Sequence, residues 1–530
     1  MRQVVSIFLI ASLFFLSACK NDESNDLVQN VVDGKPDRLI VACDDVIFTA
    51  EQNLVSGVAC YADQKVDNEK LSWSAMPIRQ AQVELVSASD QVVASTISDD
   101  LGVYKLNIAE VDLAVQYRVR ILAKGGLSVD PSLVKGESGF PYAVATQNFT
   151  PSKEHGQRVD LVVASLIASS AFNIFDQMVA AHKYVLNGVG LGNIPALNAV
   201  WYDGNERGTF YCPASFTGSE CDGLDTIHLL GSANDSDAFD DAVVLHEVGH
   251  FILNTYSEDD SPGGVHYLYD NNQDLRLAWS EGFATAFSSM VRRYEGIADA
   301  DAYVDTDGKG VSLYNYALEV PSGGRNVFSP KTQTGGMAGE LAVSVVLWDL
   351  FDASNEQETF DNIAEQQSLW DTLQAMKGVD NVSMQDFMEL WQGSNISAVA
   401  NDRSIFAALD EYESMDAIAI ENMQAETLPV KQQRTFHDQE DEDWLKVYLE
   451  KNTTYRFKTS KLYSGADTVL TVFAADGITE IATADNVSAI NLASVQDLTI
   501  NASGFYYVRI ARSSATPAIV RFGSYKLDVF

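Results

Sequence analysis

His246-Glu247-Val248-Gly249-His250 sets two imidazoles four residues apart with a carboxylate between them, and Glu281 follows thirty-one residues later in Trp279-Ser280-Glu281-Gly282-Phe283. On a helix, residues four apart share a face, so both imidazoles reach one ion while Glu247 points at its open side. A catalytic zinc takes three protein ligands and keeps a fourth position for water, and two histidines with a distant glutamate make such a set. With bound water acidified to a pKa of about 7, Glu247 is placed to take its proton during attack on a carbonyl and to hand it to the leaving amine. With seven histidines in 530 residues, chance produces this pentapeptide in on the order of one chain in two hundred.

The flanking residues predict the elements that would hold this set. Asp240-Asp241 precede an apolar run, Ala242 to Leu245, which Phe251-Ile252-Leu253 continue, the pattern of a buried helix with acidic residues in its first turn. Phe283, Ala284 and Phe287 recur at helical spacing around Glu281. A charge on so apolar an element needs a partner or a metal. Ala171 to Val185 predicts a long helix, and Ala199 to Tyr202 and Thr226 to Leu230 predict strands leading to the zinc helix, with His228 structural.

The motif and the later Ser-Glu-Gly-Phe-Ala resemble the gluzincin group of zinc metallopeptidases. The resemblance implies a zincin-like α+β domain with one catalytic Zn²⁺, His246, His250 and Glu281 as metal ligands and Glu247 as general base. Gly339-Glu340-Leu341-Ala342 and Val346 to Leu350 resemble a helix downstream in fungalysin-like members. The chain departs from the thermolysin pattern at Thr285, where an aspartate would support a zinc histidine, so that supporting contact is unassigned. An oxyanion donor is also needed. His266, in the loop opened by Ser261-Pro262-Gly263-Gly264, is the candidate, ahead of Tyr267, Tyr269, Tyr314 and Tyr316. In zincins an edge strand before the active-site helix holds an extended peptide by β-augmentation. Asp301, Asp305 and Asp307 before Gly308 suggest calcium weakly, without full EF-hand spacing or a terminal glutamate.

Arg2, the apolar run Val4 to Leu16 and Leu16-Ser17-Ala18-Cys19 resemble a bacterial lipoprotein signal. That implies residues 1–19 as signal peptide, a membrane anchor through lipidated Cys19 and a flexible tether over 20–38. Lys20 in place of aspartate points to the outer membrane. The other four cysteines suggest two disulfides, Cys43 with Cys60 and Cys212 with Cys221, paired by proximity in sequence alone. A net charge of −39 argues against nucleic acid and anionic lipid surfaces as partners.

At 530 residues the chain exceeds one core. Residues 39–160 carry short alternating runs such as Gln82 to Val86, Val103 to Leu106 and Tyr117 to Ile121, which read as strands. They resemble a carboxypeptidase-regulatory-like, transthyretin-like β-sandwich. Residues 161–425 form the expected peptidase domain. Residues 430–530, with Asp441 to Leu449, Thr454 to Phe457, Asp467 to Phe473, Gly504 to Ile510 and Gly523 to Val529, resemble the bacterial pre-peptidase C-terminal domain. The expected fold is therefore multidomain, a zincin-like centre flanked by two β-sandwiches. The expected function is a lipid-anchored zinc metallopeptidase of the cell envelope acting on peptides or proteins. The alternatives are a glycoprotein-directed peptidase and a non-catalytic adhesion or scaffold lipoprotein with structural zinc.

Overall fold

The computed structural model describes most of the chain from residue 51 onward. Residues 1–30, 33–34, 37–42, 44–50, 68–69, 126–131, 219, 265, 267, 269–272, 308–311, 319–337, 353–363, 380–381, 395–422, 437–441, 461, 463–465, 489–490 and 514–522 lie outside the described residues. The expected signal peptide, Cys19 and most of the tether fall there, as do Tyr267, Tyr269 and Gly308. Among the described residues no helix is long and apolar enough to cross a membrane.

The first layer is a five-stranded sheet built on the long strand Leu54–Asp67, which pairs with Lys70–Pro77, Val103–Asn107, Gln157–Arg158 and Leu161–Val163. The turn into Val103–Asn107 is held by Asp99, whose Oδ1 accepts from the amides of Leu101 at 2.9 Å and Val103 at 2.8 Å. Gly102 there has φ 73°, a value a side chain would oppose.

The second sheet has eight strands and crosses residue 160, where a domain boundary was expected. Its order is Phe210–Cys212, Thr226–His228, Asn198–Val200, Leu133–Lys135, Tyr117–Gly125, Ala81–Ser87, Val92–Ile97, with Ala143–Ala145 also on Tyr117–Gly125. Leu133–Lys135 is the joint. It runs antiparallel to Tyr117–Gly125, with Leu133 opposite Lys124, and parallel to Asn198–Val200, with Leu133 opposite Asn198. Every second residue of Tyr117–Gly125 is buried, the alternation of a strand with one face on a core. That core is continuous from Val55 to Phe387, so residues 39–160 and the segment after them share one interior.

Among the described residues six helices cover this frame: α1 Leu166–Lys183, α2 Asp241–Tyr256, α3 Leu275–Tyr294, α4 Glu340–Phe351, α5 Gln366–Ala375 and α6 Met384–Leu390. Helix α1 starts five residues before the expected Ala171, after Ser165, and runs into a wide turn, Tyr184–Val189, that ends at Gly190. A buried polar cluster ties α1 to both ends of the fold. Arg79 donates to Asp176 at 2.7 Å and to Glu295 at 2.5 Å, and the Tyr61 hydroxyl donates to Asn173 at 3.1 Å. Two glycines let α3 lie close between its neighbours. A Cβ on Gly249 would meet the Ala284 Cα at 2.8 Å, and one on Gly282 would meet the Val343 Cβ at 2.5 Å and the Glu340 carbonyl at 2.7 Å. Side chains at either position would push apart the helices that carry His246, Glu281 and Glu340.

Residues 425–529 form a β-sandwich of two five-stranded sheets. One has the order Ala425–Glu426, Glu442–Leu449, Gly504–Arg512, Thr468–Phe473, Glu480–Ala484; the other Val430–Phe436, Gly523–Val529, Thr454–Ser460, Asn491–Thr499, Asn486–Ser488. Leu445, Val447, Val508 and Ile510 of one sheet meet Phe457, Tyr525 and Leu527 of the other in a separate core. The chain is thus several β-rich regions with helices gathered in its middle. Cys43 is disulfide-bonded to Cys60 and Cys212 to Cys221.

Candidate metal centre

Helix α2 begins at Asp240, whose carboxylate accepts from the Thr306 amide at 3.1 Å and its hydroxyl at 3.0 Å. Asn173 of α1 donates to the Ala238 carbonyl and to Asp241, both at 2.9 Å. These contacts fix where the helix starts and hence which way His246 and His250 face. Helix α3 begins at Asp274, whose side chain accepts from the Arg276 amide at 3.0 Å. Its apolar face, through Trp279, Phe283 and Phe287, packs against Phe387 and Trp370. Truncating one of those rings to alanine would cost about 3–5 kcal/mol.

The two helices bring the sequence-predicted ligands together. His246 Nε2 lies 3.0 Å from Glu281 Oε2 and 3.2 Å from His250 Nε2, and His250 Nε2 lies 3.3 Å from Glu281 Oε2. An ion with four tetrahedral bonds of about 2.0–2.1 Å separates its ligand atoms by roughly 3.3–3.4 Å. Two imidazole nitrogens and a carboxylate oxygen at this spacing fit zinc. Glu247 is 7% exposed and its Oε2 has no hydrogen-bond partner.

Second contacts orient both imidazoles. Thr285 Oγ1 sits 3.1 Å from His246 Nδ1, and Ser280 Oγ sits 3.0 Å from His250 Nδ1 and donates to Asp259 Oδ2 at 3.0 Å. With each Nδ1 engaged, each Nε2 is left to face the other ligands. The contact left unassigned by sequence is therefore made by a threonine and by a serine backed by an aspartate.

His266 reaches the same cluster from its loop, with Nε2 3.4 Å from Glu281 Oε2 and 3.8 Å from Glu340 Oε2. Glu340, the first residue of α4, accepts from Gln273 Nε2 at 3.0 Å. Tyr316 is buried and stacks on Tyr303 with ring centroids 5.2 Å apart, and Tyr303 in turn packs on His246 at 6.1 Å. His228 is buried and stacked on Phe210 at 4.7 Å, a packing role. Of the suggested calcium residues, Asp305 approaches Asp235 and Asp237.

The electrostatics follow from crowding charges away from water. Burial raises the Glu281 carboxyl, but His250 and His246 outweigh it and hold the group well below the ordinary range. Burial opposes protonation of His250, yet Glu281 overcomes it and lifts that imidazole to about 10. Burial pushes Glu247 up to about 8, with Glu281 and Asp237 adding and His250 opposing. Burial likewise raises Glu340 to about 7, against the pull of His266. All these groups line one cleft of about 1050 Å³, whose wall includes Phe210 and Tyr211 of the sheet's edge strand and Thr209 just before it.

Residues 192–401 match the family described as the mycolysin C-terminal domain, a span that holds His246, Glu247, His250, His266 and Glu281 and gives the middle of the chain a peptidase-family context. A protein of Archaeoglobus fulgidus, described as uncharacterized, is 29% identical over 134 residues, 24% of this chain and 33% of that protein. The match thus spans about a third of that relative's length. Among solved structures, the pre-peptidase C-terminal domain of collagenase from Bacillus anthracis is 12% identical over 21% of this chain and 99% of that chain, at a TM-score of 0.17. The g-type lysozyme inhibitor PliG of Salmonella Typhimurium is 13% identical over 20% of this chain and 92% of that chain, at 0.15. Likenesses of that size carry nothing about fold or function.

Proposed function

We propose that this chain is a zinc-dependent peptidase held at a bacterial cell envelope through lipidated Cys19, its central region a zincin-like catalytic domain. The observation that carries the reading is the triangle of His246 Nε2, His250 Nε2 and Glu281 Oε2, with edges of 3.0, 3.2 and 3.3 Å, beside the buried Glu247, whose Oε2 has no hydrogen-bond partner. Zinc held there would supply an acidified water and polarise the scissile carbonyl. Glu247 would take the proton from the attacking water and deliver it to the leaving nitrogen. His266 stands beside the ligands as the donor to the developing oxyanion. Among the described residues Phe210–Cys212 is paired on one side only, with Thr226–His228. Its free edge at the cleft is placed to bind an extended peptide backbone.

The test uses the soluble chain beginning after Cys19, with zinc content and cleavage of a mixed peptide library measured for wild type and Glu247→Gln. One zinc per chain in both, with cleavage by wild type alone, is expected. Zinc in both without cleavage by either would favour the scaffold reading, and absence of zinc from both would remove the metal site.

A further inference from the structure

A second group of carboxylates lines the cleft outside the metal set. Oxygens of Asp235, Asp237 and Asp305 lie within 4.8 Å of one another, and all three residues face the cavity that holds His246 and Glu247. Asp237 is 5% exposed and accepts from the Thr209 hydroxyl. Asp235 and Asp305 each turn an Oδ1 away from solvent with no hydrogen-bond partner. Glu247, 7% exposed and with no hydrogen-bond partner at its Oε2, lines the same cavity, close enough to Asp237 for that charge to act on it. Among the described residues no lysine, arginine or histidine acts on the three aspartates; the charges they meet are one another's and those of the acidic groups Asp307, Asp240 and Glu247.

Carboxylates gathered away from water repel one another and resist ionising unless a cation sits against them. Burial first, and then mutual repulsion, holds Asp237 up at about 6 and Asp305 at about 8. Calcium would call for six to eight oxygen ligands, so the three aspartates would have to bind through both oxygens or share its shell with water. An ammonium or guanidinium needs only the carboxylates. Phe210 and Tyr303 line the same cavity and provide apolar surface for the methylene stem behind such a head group.

We propose that Asp235, Asp237 and Asp305 form a subsite for the cationic side chain of a lysine or arginine in the peptide substrate. The inference rests on the peptidase reading and names the substrate class of that site.

The test uses the zinc-loaded chain after Cys19 and peptide pairs identical except for lysine or norleucine at one position. Cleavage is measured as kcat/KM and affinity by titration calorimetry, for wild type, Asp305→Asn and the partly exposed Asp235→Asn. At one position relative to the cut bond, wild type is expected to favour lysine by roughly tenfold or more, and both variants to bring that ratio toward one. Cleavage of both peptides without preference overturns the subsite while the peptidase reading stands. If no peptide is cut, the peptidase reading fails by itself, and calorimetry then decides the subsite: tighter lysine peptide binding lost in Asp305→Asn upholds it, and equal affinities overturn it. Calcium bound by wild type but not by Asp237→Asn, with no lysine preference, also overturns it.

Discussion

Thr285 and Ser280 hold the outer nitrogens of His246 and His250, so the direction of both metal-facing nitrogens depends on hydroxyls that touch no metal. Thr285→Val and Ser280→Ala are each expected to weaken zinc affinity by about 10- to 100-fold, measured by competition with a chelator, with the unfolding midpoint little changed. Unaltered affinity in both would assign the orientation to packing alone. His246, Glu247 and His250 stood out in the sequence because their spacing is a helical one, and Glu281 because it is a charge on an otherwise apolar helical pattern. Thr285 carried a usable signal, since it lies one turn beyond Glu281 on the same helix face. Asp259 and Gln273 had none, because loops bring them in, and Glu340 was singled out only through the resemblance of the segment around it. The aspartate cluster was hidden for the same reason: Asp305 stood out only beside Asp301 and Asp307, whereas its neighbours in space come from before α2.

The last turn of helix α1 holds a histidine that burial alone controls. His182 is 5% exposed, its Nε2 has no hydrogen-bond partner, and its pKa is lowered to about 4. The folded chain keeps this ring neutral, whereas the unfolded chain protonates it below about 6.5. Its contribution is therefore fully present above about pH 6.5 and is lost progressively as pH falls toward 4, to a total of about 3 kcal/mol. His182→Leu is expected to flatten the fall of the urea midpoint between pH 6.5 and 4.5; a wild-type slope in the variant would place the acid sensitivity elsewhere. Element types were largely readable from periodicity, as the alternation in Tyr117–Gly125 and in the C-terminal strands illustrates. Leu133–Lys135 was not, because three residues are too few to show a period, and so the sheet's continuation past residue 160 stayed out of sight.

The eight-stranded sheet and the core that runs across it make the first layer and the helices that carry His246, His250 and Glu281 parts of one interior. A chain beginning at residue 161 is expected to be insoluble or to bind no zinc. Without Leu133–Lys135, the strand Asn198–Val200 loses one partner and presents raw backbone. The buried Arg79–Asp176–Glu295 cluster also loses its cation, at a cost of about 3–5 kcal/mol. Recovery of a soluble, zinc-binding fragment from 161 onward would show that the N-terminal layer is dispensable to the fold.

Leu133–Lys135 also bears on how such a chain can be inherited. A recombination event near residue 160 would have to deliver a new N-terminal region whose counterpart of Leu133–Lys135 meets Asn198–Val200 in register. A one-residue slip there would turn buried side chains outward. The N-terminal region is thereby kept in step, generation after generation, with the sheet whose edge strand borders the cleft.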